Sequence, residues 1–457
     1  MKKIISVLIS LMLVISAFSL IGCSPFEEDG EVEDKFNISI SCLAEGGEMA
    51  VLKALEEEYE KLNPSVNVIC KDYGGDSFTA YLTRYANNQS NLSTIMWMPD
   101  DEFAGFAEGG YFMDLRQYYE SSQDTAYNLF YDSMLHSASY KGEYKPYTEN
   151  PDRSYGIYYA PRDFNKIAIV YNTQLFSEFE VAVPDTTNGW DLQALIDLTK
   201  TIASKIEGKG REYSGYRALH LNLNWEPVYT TVFKALGSEG LISGNNLAID
   251  SAKNREIQGK LYDDLFYSDL TIDRSGSFTQ GTTFMSVISR PTAVSLSHLL
   301  QDQDRKTLID FLPFPTEYIG AGNSGYGITA KSKDKVQTVN GVSKTEADLA
   351  WDFIKFIITK QGQEIAGKTG LSVPVLKSLA TNGEWRKAMG DNLNHDAFLA
   401  GEELRLTNYN GFLPNKRTAL RAVVSNHFSK LQSRIEGSSE RRDRLISDTI
   451  SAFNTSK

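Results

Sequence analysis

Cysteine is scarce in this chain, with three in 457 residues, at positions 23, 42 and 70. Beyond the first there are only two, too few for a thiolate cage around a metal. Histidine is nearly as scarce: five are scattered along the chain, and no His-Glu-x-x-His occurs. Gly-x-Ser-x-Gly is absent too, so neither the zinc-hydrolase signature nor the nucleophile elbow is present. Positive charge is in deficit, 46 Lys and Arg against 59 Asp and Glu, for a formal charge of -13. Such a surface repels phosphate backbones, which excludes nucleic acid as a partner and disfavours direct binding to anionic lipid. Internal repeats are lacking as well. Glycoside hydrolysis is left standing by these absences, because it needs only two carboxylates at a set separation.

Among the features that are there, the start of the chain decides the compartment. Lys2 and Lys3 precede an apolar run from Ile4 to Ile21 relieved only by Ser and Ala, ending Leu20-Ile21-Gly22-Cys23. A positive segment, an apolar core and a small-residue exit make a secretory signal over 1–22. The ending resembles the lipobox of bacterial lipoproteins, which implies cleavage before Cys23 and lipidation of that residue. The alternative is an uncleaved anchor, since the run approaches the ~20 residues that span a bilayer. Either way the remainder faces outward. Residues 23–35 carry Glu27, Glu28, Asp29, Glu31, Glu33 and Asp34 and read as an acidic tether. The signal holds two lysines and no acid, so the mature balance is 44 against 59, or -15. Anchoring then falls to acyl chains, of which one is marginal and two suffice. Roughly 420 residues remain for folding, enough for two domains.

Phe36, Ile38, Ile40 and Cys42 alternate with polar residues, which predicts a strand. Met49, Leu52, Leu55, Tyr59 and Leu62 recur at three and four, predicting a helix that Pro64 stops. Val66–Cys70 is a second strand, and strand, helix, strand with one crossover predicts parallel pairing. Further strands are expected at Thr94–Met98, Ile167–Tyr171 and Thr283–Ile288, with helices at Asp191–Ile206 and Ala347–Ile358. The fold class is α/β. Gly320–Tyr326 reads as a glycine loop before a short strand at Gly327–Ala330. Cys42 and Cys70 end neighbouring strands, so either a disulfide or two buried thiols is open.

Gly362-Gln363-Glu364-Ile365-Ala366-Gly367-Lys368-Thr369 matches the phosphate-loop pattern letter for letter. That chemistry needs a strand leading into a glycine-rich loop at a helix start. Here Ala350, Trp351, Ile354, Ile357 and Ile358 repeat at helical spacing, so a helix leads in and nucleotide binding is rejected.

The order of several segments resembles the family 1 extracellular solute-binding proteins, the sugar-binding subunits of ABC importers. They are the stretch Trp97 to Gly110, the strand-to-helix motif Val170-Tyr171-Asn172-Thr173-Gln174-Leu175-Phe176, and Val183-Pro184 followed by Trp190-Asp191-Leu192. Trp351 to Pro374 completes the series. The resemblance runs from Phe36 onward and implies a two-lobe periplasmic-binding-protein-like fold (type II) with a hinged interdomain cleft. Lobe 1 is expected over 36–163 and 296–380, and lobe 2 over 164–295 and 381–457.

The resemblance also picks candidate ligand-binding residues. Asp101 falls on the family's sugar-binding Asp, with Glu102 beside it. Glu226 falls on a Glu that accepts sugar hydroxyls; Val228 replaces a stacking Tyr, so Trp225 or Tyr229 would supply the ring. Asn165 occupies the place of another hydroxyl-binding Glu. Arg290 stands where an aromatic platform is missing and would offer a fork of donors to the cleft. Glu45, Gly46 and Gly47 follow the first strand, at the sheet edge where open α/β folds bind ligands. Asn323, Ser324 and Tyr326 lie in the glycine loop. Trp190 and Trp351 are assigned to packing.

These readings predict a monomeric, lipid-anchored extracytoplasmic receptor that takes a carbohydrate and passes it to membrane permeases, with no cofactor, metal or catalytic residue. A surface carbohydrate-active enzyme and a receptor feeding a sensor kinase are the alternatives.

Overall fold

The structure is a computed structural model; it describes residues 30–43, 47–76, 78–85, 87–100, 102–140, 147, 156–274, 277–303, 307–390, 392–404, 414–433 and 437–457. Cys23, Glu45, Gly46 and Asp101, with the signal segment, lie outside the described residues.

In chain order the strands are β1 (Phe36–Cys42), β2 (Val66–Asp72), β3 (Ile95–Pro99), β4 (Ala160–Pro161), β5 (Asp163–Lys166), β6 (Ala168–Asn172), β7 (Arg217–His220), β8 (Ile242–Ser243) and β9 (Asn246–Leu247). They continue with β10 (Thr283–Ile288), β11 (Ile309–Pro313), β12 (Tyr318–Gly322), β13 (Ser324–Ile328), β14 (Val336–Val339), β15 (Val342–Thr345), β16 (Val373–Pro374) and β17 (Glu402–Leu404). The first sheet runs β2-β1-β3-β13-β4, the second β11-β6-β10-β7, and a third, β16-β5-β12-β17, lies where the chain passes between them.

The expected first unit is present. β1 and β2 pair in parallel from Phe36↔Val66 to Cys42↔Asp72, with the helix Glu48–Leu62 between them. Met49, Leu52, Leu55 and Tyr59 on its inner face are buried. The expected strand at Thr283–Ile288 has those bounds, and the other two shift by a residue. Asp191 caps the helix Leu192–Lys209 by accepting from the Ala194 amide at 2.9 Å, and Thr345 caps the helix Glu346–Ile358.

Two hydrophobic cores result. One gathers the first sheet with residues such as Leu55, Phe112, Tyr326 and Trp351; the other gathers the second sheet with Ile169, Val228, Phe284 and Phe428. Their membership departs from the expected lobe bounds. Leu312, Phe314 and Ile319 join the second core, while Ile309 and Phe311 of β11 join the first, as do Trp385, Leu393, Ala397 and Phe398. Two covered sheets joined through a shared ladder make the two-lobe periplasmic-binding-protein-like architecture.

Gly320–Tyr326 is not a loop. β12 and β13 run through it with Asn323 alone between them, and the second strand ends at Ile328. The glycines serve close approach: a Cβ on Gly320 would meet the Pro227 carbonyl oxygen at 2.6 Å, and one on Gly325 would overlap that of Ala160. Lys360–Gly367 is helical, so the phosphate-loop match contains no cradle. Within it Gln363 is buried, donating to the Arg162 and Ile357 carbonyls at 3.1 Å and accepting from the Val375 amide at 2.9 Å. Cys42 and Cys70 are free buried thiols, not a disulfide. Burial, reinforced by Glu48, pushes the Cys42 thiol up to about 12. Gly30 and Val32, at the end of the acidic stretch, hydrogen-bond Asn67 and Asn37 rather than standing free. Among the described residues no helix is long and apolar enough to cross a membrane.

Candidate functional site

Two cavities open on either side of the helix Arg290–Leu299. The smaller, about 290 Å³, is lined from the first lobe by Leu43, Glu48, Trp97, Leu371 and Ser372, from the β4–β5 junction by Arg162 and Asp163, and from the helix by Pro291. The larger, about 560 Å³, holds Ser289 and Thr292 of the same helix region. Its other walls include His220, Asn222, Asn224, Trp225, Phe278, Ser286 and Ser425. Pro291 on one side and Thr292 on the other make the cavities neighbours. Both sit where strands deliver their carboxyl ends, the usual place for ligand in open α/β sheets.

The smaller cavity has a charged floor. Arg162 is 3% exposed, and its Nη2 donates to Glu48 Oε1 at 2.7 Å and Asp163 Oδ2 at 2.8 Å. Asp163 also accepts from the Ser324 amide and hydroxyl, both at 2.8 Å, so it ties β5 to β13. Burial raises the Glu48 carboxyl above its usual range, with Arg162 opposing and Asp163 adding to the rise. Burial works against the Arg162 charge, but the two carboxylates outweigh it and hold the guanidinium protonated.

Among the described residues the larger cavity carries amides, hydroxyls and the rings of Trp225 and Phe278, and none of its lining side chains is an acid, Lys or Arg. His220 Nδ1 lies 3.1 Å from Ser286 Oγ, and burial lowers its pKa, so the ring is neutral at pH 7. His220, Asn222 and Asn224 alternate with Leu219, Leu221 and Leu223, all three buried in the second core. The three leucines point into the second core, and the polar set between them lines the cavity. Asn222 has φ 55°, a left-handed conformation that Asn tolerates.

The candidates from sequence divide among these places. Trp225 lies in the larger cavity, half-buried. Tyr229, the other ring considered, is fully buried and stacks on Phe428 at 4.7 Å, which removes it from the cleft. Glu226 pairs with Arg421 Nε at 2.9 Å and fastens its helix to the helix Pro414–Leu431. Glu102 accepts from the Thr79 amide and hydroxyl at 3.2 and 2.6 Å, which employs it at the start of the helix Phe78–Arg84.

Gly47, φ 82°, lies against Leu371, whose Cδ1 would stand 2.6 Å from an added Cβ; it lets that cavity wall close on the helix start. Asn323, Ser324 and Asn165 come together at the crossing. Asn165 pairs with Gly322, Asn323 accepts from the Tyr159 hydroxyl at 2.8 Å, and Ser324 holds Asp163. Tyr326 is buried in β13, and burial lifts its hydroxyl pKa far up.

Arg290 departs most from expectation. Its guanidinium donates to the Gly370 carbonyl, His395 Nδ1 and the Trp385 carbonyl at 2.8, 2.9 and 2.8 Å, and it lies 4.7 Å from the Trp385 ring centroid. Burial and the charge of Arg386 pull its pKa to about 9, which still leaves it charged at pH 7. Each of its three nitrogens is engaged inward and the side chain is fully buried, so no fork points into the cleft. Sequence reasoning missed Glu48, Arg162, Asp163 and the His220–Asn224 set, and used Trp97 only as a landmark. The alternation around His220 was a signal at hand; the ion pair across 114 positions had none. Among the described residues no group of His, Cys, Asp or Glu is placed to hold a metal.

The family model for bacterial extracellular solute-binding proteins matches residues 53–390. The chain belongs to that family, whose members bind solutes rather than transform them. No curated protein matches it in sequence. Among solved structures it is similar to an ABC substrate-binding protein from Listeria monocytogenes in complex with cycloalternan, at 16% identity and a TM-score of 0.66, covering 92% of this chain and 99% of that one. It is also similar to the GacH receptor of Streptomyces glaucescens, solved with acarbose, at 17% identity and TM-score 0.64 over 93% and 99%. Maltose-bound T. maritima MalE3 matches at 15% identity and TM-score 0.63 over 92% and 99%. At these identities the likeness establishes the two-lobe fold.

Proposed function

We propose that this protein is the receptor of an ABC importer that captures an uncharged oligosaccharide between its lobes and hands it to membrane permeases. The observation that carries the reading is the 560 Å³ cavity walled by amides, hydroxyls and the rings of Trp225 and Phe278, with no acid, Lys or Arg on its lining among the described residues. Sugars present hydroxyls that need such partners and C–H faces that pack on rings. The ligands named for the similar structures, cycloalternan, acarbose and maltose, support the same class. Lipid on Cys23 would hold the chain, as a monomer, on the outer face of the cell membrane. The smaller cavity would supply the first lobe's half of the site and the larger cavity the second's. Asp101, Glu45 and Gly46 remain proposed contacts from the first lobe.

A thermal-shift screen over linear and cyclic oligosaccharides tests this directly. A true ligand at 100 times its Kd adds about 2.7 kcal/mol to the folded state, and it should be recovered unaltered. No shift with any glycan, or a chemically changed sugar, would refute the proposal.

A further inference from the structure

We infer that Glu48, Arg162 and Trp97 make the smaller cavity a selectivity filter that accepts an uncharged, hydroxyl-bearing ring and turns away sugar acids. This rests on the carbohydrate reading above and specifies which glycans it covers.

Incomplete hydrogen bonding marks the smaller cavity. Arg162 engages both carboxylates through Nη2, while Asp163 is saturated by Arg162 and Ser324. Three buried polar atoms on the lining side chains have no partner among the described residues: Glu48 Oε2, Arg162 Nε and Trp97 Nε1. Arg162 is 3% and Trp97 8% exposed, so neither is simply hydrated at the surface. Buried polar groups are rarely left unpaired, so these are the groups a ligand would complete.

What remains is one acceptor and two donors. A hydroxyl both donates and accepts, so two neighbouring ring hydroxyls can serve all three atoms. A carboxylate only accepts. It would pair with the donors but leave Glu48 Oε2 facing another acceptor, and it would add charge to a floor that already holds two carboxylates against one guanidinium. An ammonium group fails the other way, satisfying Glu48 and stranding both donors. Among the described residues the second lobe's cavity carries no acid, Lys or Arg, so the choice between neutral and acidic sugars falls to the first lobe.

The experiment uses matched probes: maltotriose, cellotriose and mannotriose, each neutral and each oxidised to an acid at one or the other terminus, measured by titration calorimetry. For any neutral probe that binds, the acid forms should bind at least ~10-fold more weakly, the scale of one unmatched buried polar group. Glu48→Gln removes the charge and keeps the shape, so it should shrink that ratio below ~3-fold. Trp97→Phe removes one donor and no charge; it should weaken the neutral probe ~10-fold when measured at a temperature where the variant's own unliganded transition shows it folded, which keeps the test open if Glu48→Gln folds poorly. Equal binding of acid and neutral forms, or ratios and affinities unmoved in both variants, overturns the filter alone. Binding of no neutral probe counts against the carbohydrate reading and takes the filter with it.

Discussion

The two halves of the proposed site solve the same problem with different chemistry. The first lobe lines its face with an ion cluster, Glu48–Arg162–Asp163, locked to β13 through Ser324. The second lines its larger face with neutral groups and rings. An ion cluster is stiff, because each partner penalises the departure of the others; amides, hydroxyls and a half-buried Trp can readjust. The contrast suits a receptor whose first lobe sets which chemistry enters and whose second accommodates shape.

The largest effect expected from breaking the contrast is at Arg162. Arg162→Ala leaves two carboxylates buried beside each other and should cost about 3–5 kcal/mol of stability, read by urea denaturation. A loss below about 1 kcal/mol would show that the cluster is not the stiff element described here.

Acid sharpens the contrast, because His427 and Glu48 answer it with opposite signs, although His395 in the first core shares the sign of His427. His427, in the second core, is held by Gln258 and Thr449, and burial, helped by Lys430, lowers its pKa to about 3. Its folded pKa lies below the unfolded value near 6.5, so its contribution is complete above pH ~6.5. That contribution declines as pH falls toward 3, by about 1.4 kcal/mol per unit at most. Glu48 has a raised folded pKa, so its contribution instead grows as pH falls toward the ordinary Glu value near 4.3. Hydrogen exchange at pH 7 and 5 should show the second core losing protection first, and His427→Gln should flatten that dependence. Equal loss in both cores would remove the distinction.

The smallest effect is at Trp225. Trp225→Ala should weaken glycan binding by about 1–2 kcal/mol, read by calorimetry, with an unliganded midpoint close to wild type. Unchanged affinity would move the stacking surface elsewhere, with Phe278 the next ring in that cavity.

The sequence revealed the architecture wherever one period dominated. β1 alternates, the helix Glu48–Leu62 repeats at three and four, and both are found where expected. The passage of β12 into β13, from one sheet to another, was missed because glycine signals a loop and a close backbone crossing alike, and only the Pro227 and Ala160 carbonyls tell them apart. Of the residues proposed for the site, Trp225 lines the larger cavity, while Tyr229 and Arg290 are buried away from it. Nothing local in a sequence says that an arginine will be buried on carbonyls and a neutral imidazole. Glu48 and Arg162 were invisible for the converse reason, since each reads as an ordinary surface charge until the fold joins them.

β13 has one further consequence. It enters the first sheet between β3 and β4 and bonds to both, though it lies more than 220 positions after β3 begins. A polypeptide emerging with its amino end first thus exposes an unzipped flank on β3 until Ile328 has appeared. Until then, the first lobe has no finished sheet to settle into, which keeps the nascent molecule pliable through most of its synthesis.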